Sequence, residues 1–146
     1  MPVANDSTIL DAIENRIKTL TWVKKVESEN IKLEFSEVHD HEIPYIQIYD
    51  NGQSFTHQRG EILVDWQIAV EIALKGSSTS TVNMRTLLDK RQEVEQVIGA
   101  IPNLGIPGVI HVLYLQNTPD LNLVRPFYTT TLLFSVQYRK KYVDVC

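Results

Sequence analysis

The stretch Ile62-Leu63-Val64-Asp65-Trp66-Gln67-Ile68-Ala69-Val70-Glu71-Ile72-Ala73-Leu74 puts a large apolar residue at every even position. A period of two is that of a β-strand, whose successive side chains point to opposite faces of a sheet. The even face is wholly branched, aromatic or aliphatic, whereas the odd face carries Asp65, Gln67, Ala69, Glu71 and Ala73 beside Leu63. One side therefore requires a core, and the other is free to meet water or another chain. At roughly 3.3 Å per residue such a strand spans about 40 Å, more than one core needs, so part of it is expected to project.

Immediately upstream, Ile43-Pro44-Tyr45-Ile46-Gln47-Ile48-Tyr49 is a second strand-like run. Pro44 has no N–H for a ladder hydrogen bond and belongs at the start of that strand or on an edge. Asp50-Asn51-Gly52 follows as the strongest turn signal in the chain, since Asn and Gly tolerate positive φ. With Gln53–Gly60 leading into the long strand, the expected unit is a long β-hairpin with an extended, projecting tip.

The flanking segments supply the other layer. Asn5-Asp6-Ser7-Thr8 is a cluster of capping residues ahead of Ile9, Leu10, Ile13, Ile17 and Leu20, whose three- and four-residue spacing predicts an amphipathic helix. Trp22–Val26 and the alternating Ile31, Leu33 and Phe35 read as one or two short strands, followed by a polar connection over Ser36–Glu42. After the long strand, Gly76 and the Ser/Thr run Ser77–Thr81 precede a second helix. Its buried stripe is expected to contain Met84, Leu87, Leu88, Val94, Ile98 and Ile101, with Arg91 at the margin. Gly99 and Pro102 should end it, and Asn103–Gly108 is a loop by composition. Two closing strands are expected at Val109–Gln116 and Phe127–Tyr138, joined by a connection bounded by Pro119 and Pro126. In the second, Tyr128, Thr130, Leu132, Phe134, Val136 and Tyr138 share a face. The fold class this order predicts is α+β: a single domain over 1–146, with two helices packed on one face of a largely antiparallel sheet.

Composition narrows the function classes. The 146 residues, 43% hydrophobic and 22% charged, suffice for a packed core without disulfide or metal. A net charge of −4 argues against broad electrostatic binding of nucleic acid, and the basic runs Lys24-Lys25 and Arg139-Lys140-Lys141 are short. Cys146 is the lone cysteine, so no intrachain disulfide is possible. Met1–Ser7 lacks a secretion-signal pattern and no apolar run approaches bilayer length, so the expectation is a soluble intracellular product with no membrane role.

Chemistry-bearing motifs are sparse. His39-Asp40-His41-Glu42 combines imidazoles and carboxylates that can ligate a transition metal, but no distant Cys or His is nominated to complete a site; His57 and His111 are candidates only by default. No serine sits in a glycine-rich nucleophile elbow, and Gly105 and Gly108 flank Pro107 without the Lys-Ser or Lys-Thr of a phosphate loop. Asp65 and Glu71 share a strand face but have no cleft that would raise one pKa. The expectation is no enzyme, no catalytic residue, no metal site and no cofactor. The remaining candidates are contact surfaces: the hairpin tip with Gln53, Phe55, His57 and Arg59, and the polar strand face with Asp65, Gln67, Ala69 and Glu71.

The N-terminal helix ending near Trp22-Val23-Lys24-Lys25-Val26, then Ile43–Asp50, the long alternating strand, the Ser/Thr-rich loop, a helix from about Val82 and the closing Tyr128–Arg139 strand together resemble the tail terminator proteins of long-tailed bacteriophages. Related tail-completion and neck proteins share much of this element order. The resemblance implies a structural virion protein assembled in the host cytoplasm into a homo-oligomeric ring, a hexamer, at the head-proximal end of the tail. Its implied partners are the tail tube protein and the head-tail connector or neck protein, with DNA only as passing cargo. Such a ring would end tube polymerisation and serve head-tail joining; the family has no catalytic residues to transfer. The rival from another class is a small metal- or ligand-binding protein using His39 and His41.

Overall fold

The long alternating segment lies in the interior of the sheet. In the computed structural model, which describes residues 4–28, 43–75, 84–100, 103–119 and 127–141, the elements are α1 (Asp6–Ile17), β1 (Lys25–Glu27), β2 (Tyr45–Gln58), β3 (Glu61–Lys75), α2 (Met84–Gly99), β4 (Val109–Pro119) and β5 (Phe127–Lys141). Among these residues the strands form one sheet in the order β1-β2-β3-β5-β4. Only the β1–β2 pairing is parallel. The expected strand with Ile31, Leu33 and Phe35, the polar connection containing His39 and His41, the cap run Ser77–Thr81, Ile101, Pro102 and Pro126 lie outside the described residues.

Register explains the core. The even residues of β3 stand opposite those of its neighbours: Ile72 faces Ile46 and Thr130, Val70 faces Ile48 and Leu132, Ile68 faces Phe134, Trp66 faces Val136 and Val64 faces Tyr138. Directly opposed residues of an antiparallel pair project from the same face, so these side chains build one apolar surface. Ile9, Ile13 and Ile17 of α1 and Leu87, Val94 and Ile98 of α2 are buried in the same cluster. At roughly 25 cal/mol per Å² of apolar surface, this burial is the main term holding the fold.

Local chemistry shapes each helix end. Asn5 caps α1: its side chain accepts from the Thr8 N–H at 2.9 Å, and the Thr8 hydroxyl accepts the Asn5 N–H at 3.0 Å, a reciprocal capping box. At the far end the Arg16 guanidinium donates to the Val97 carbonyl at 3.5 Å, tying α1 to α2. Arg91 donates to the Thr130 hydroxyl at 3.1 Å on the core face of β5, as its place at the stripe margin implied. Leu88, expected in the buried stripe, is instead 42% exposed. It follows Leu87 by one position, about 100° around the helix, and the narrower contact with the sheet does not reach it.

Three strand expectations are revised. Trp22 and Val23 precede the strand, and β1 is confined to Lys25–Glu27. Its entry is set by the Pro44 carbonyl, which accepts from the Lys24 N–H at 3.0 Å. Asp50-Asn51-Gly52 does not reverse the chain: it is a bulge inside β2, with Asp50 opposite Ile68 and Gln53 opposite Trp66. The Asp50 carboxylate accepts the Gly52 N–H at 2.8 Å and the Trp66 indole N–H at 2.8 Å, so a local turn is stapled across to β3 and pairing resumes. The actual reversal is Arg59-Gly60, with Gly60 at φ +71°. Nor does the β2–β3 pair stand alone, because β5 accompanies β3 from Glu61 to Lys75.

Ile68→Ala should cost about 2–5 kcal/mol in chemical denaturation, since Ile68 is fully buried at the centre of the sheet. The adjacent Gln67→Ala, on the opposite face and exposed, should stay within about 0.5 kcal/mol of the parent.

Candidate interaction surfaces

Alternation along β2 and β3 divides the sequence-nominated contact residues between two faces. Gln53, Phe55 and His57 stand opposite Trp66, Val64 and Ile62 and so project from the helix-bearing side. Asp65, Gln67, Ala69 and Glu71 project from the other side, and Arg59 lies in the reversal. They do not form one patch.

At the helix-side end, a polar clasp fastens α1 to the strands. Asp6, in the first turn of α1, accepts from the Gln53 amide at 3.1 Å and from the Tyr138 hydroxyl, and it pairs with the Lys140 ammonium at 3.7 Å. A carboxylate in the first turn is favoured by the helix dipole. Burial, then the hydrogen bond and charge of Asp6, pushes the Tyr138 phenol well above its ordinary range. Gln53 therefore has an internal job, whereas Phe55 is 53% exposed. His57 and Arg59 are also exposed.

The opposite face is less open than its polarity suggests. Ala69 and Ala73 are buried, as are Tyr45, Gln47, Thr129 and Ser135, and Ile43, Tyr45 and Ala73 form a small second cluster. The polar side chains answer one another. Tyr45 donates to Gln47 at 3.3 Å, Gln47 donates to Glu71 at 3.2 Å, Asn51 donates to Gln67 at 3.4 Å, and the Ser135 hydroxyl donates to Asp65. Tyr49 is pushed up to about 12 by burial first and then by its hydrogen bond to Glu71 and that carboxylate's charge.

One surface was not singled out in the sequence. β4 is the edge strand beside β5, and it exposes Ile110, Leu113, Tyr114 and Leu115 at 38–47%. Ile110 and Leu115 fall where the register with β5 shifts, so both sit at bulges. Tyr114 turns its hydroxyl to the Glu95 carbonyl, and Asn117 donates to the Glu95 carboxylate at 2.9 Å, fixing α2 over this edge. The available signal was the run Val109–Leu115, apolar at both parities except for His111 and uncharged from Val109 to Pro119. Such a run reads equally as a strand buried on both faces.

Among the described residues no group of three or more His, Cys, Asp or Glu is placed to hold a metal ion. No helix among them is long and apolar enough to cross a membrane.

Replacing Glu71 by Gln removes the carboxylate's charge and leaves only a neutral acceptor for the phenol, so Tyr49 should titrate closer to the ordinary value of 10.0, read by ultraviolet phenolate absorbance. A raised phenol pKa means that the folded state favours the neutral form. The stability this contributes is full below pH 10.0 and is lost as pH climbs through about 12. Tyr49→Phe should consequently lose less stability than the parent over that interval.

No family model matches the chain, and no curated protein matches it in sequence. Similar folds occur among solved structures. One is a chain from the virion of a native gene transfer agent particle, 6% identical, with a TM-score of 0.53 over 89% of this chain and 93% of that one. At that identity the likeness is one of fold: the arrangement of helices and sheet found here is also the arrangement of a chain in that virion.

Proposed function

We propose that this protein is a non-catalytic structural subunit of a phage-like virion. Within that class we assign it to the tail terminators, forming a ring on the head-proximal end of the tail tube that stops tube growth and receives the head. The observation that carries this reading is the shared fold with a gene transfer agent virion chain over nearly the full length of both. The element order along the sequence supports the narrower assignment, because it resembles that of tail terminators from the N-terminal helix to the last strand.

The physical character of the chain agrees with this role. A net charge of −4 suits a ring through which DNA slides, since phosphates are not held by a counter-charged surface. Phe55 at the β2–β3 end offers an exposed aromatic anchor of the kind that dominates protein contacts. Asp65, Gln67 and Glu71 on the opposite face form the second proposed contact, around the buried Ala69.

Size-exclusion chromatography with light scattering, followed by negative-stain imaging, should give a closed ring, a hexamer in this reading, that caps purified tail tubes at one end. A monomer at every concentration and salt, unchanged by tail tubes, would overturn it. Binding to the head connector without binding to tubes would move the protein to a neck or tail-completion role. Phe55→Ser should keep the parent's thermal midpoint while weakening attachment to tubes at least tenfold, the change of about 1.4 kcal/mol expected for loss of an aromatic anchor.

A further inference from the structure

No further inference is drawn: the strongest candidate, the uncharged edge strand β4 with its exposed Ile110, Leu113, Tyr114 and Leu115, carries none, because nothing in the structure shows what covers it.

Discussion

The structure depends on β3 being paired on both sides from Glu61 to Ala73 while one of its faces is uninterruptedly apolar. Glu61–Lys75 pairs with β5 throughout, and β2 covers it from Glu61 to Ala73 with a single register shift. A strand fixed at both edges cannot slip by one residue without turning Trp66, Ile68 and Val70 out of the core, so the register of the neighbouring strands is set by the same pattern. The helices then have one surface to cover, and both lie on it.

Polar side chains finish what burial begins. Asp50 and Asp6 each gather donors from separate elements: Asp50 holds a bulge of β2 to Trp66 on β3, and Asp6 holds the start of α1 to Gln53 on β2 and Tyr138 on β5. Hydrogen bonds to an ionised acceptor are worth about 1.5–3 kcal/mol net, enough to select one docking of α1 among those that bury the same isoleucines. On the reverse face, Gln47, Tyr49 and Glu71 satisfy one another beside buried alanines. That face combines internal polar satisfaction with partial exposure, while β4 carries no charged residue and leaves Ile110, Leu113, Tyr114 and Leu115 exposed.

Much of the architecture was legible along the chain because it rests on local periodicity. The α1 stripe and its Asn5 cap, the even face of β3, and the shared face of Thr130, Leu132, Phe134, Val136 and Tyr138 all follow from side-chain alternation or helical spacing. The contact candidates were less legible. Asp50-Asn51-Gly52 has the composition of a reversal, but the Trp66 indole, distant in sequence, turns it into a bulge. Leu88 and Leu113 have the composition of core residues yet lie beyond the reach of the opposing layer.

What the sequence determined by itself is the set of elements, their apolar faces and hence the α+β class, because each depends on residues within one or two turns or strand repeats. What only the tertiary structure decided is the strand order β1-β2-β3-β5-β4, and with it which strand is left at the edge. Pairing partners are chosen by long-range register, and an apolar strand reads the same along the chain whether its second side is covered by a neighbour or left open. The long segment at Ile62–Leu74 thus turned out to be an interior strand with a partner on each side. Among the described residues, four of the six exposed large apolar side chains belong to β4, which the sequence marked only as a closing strand.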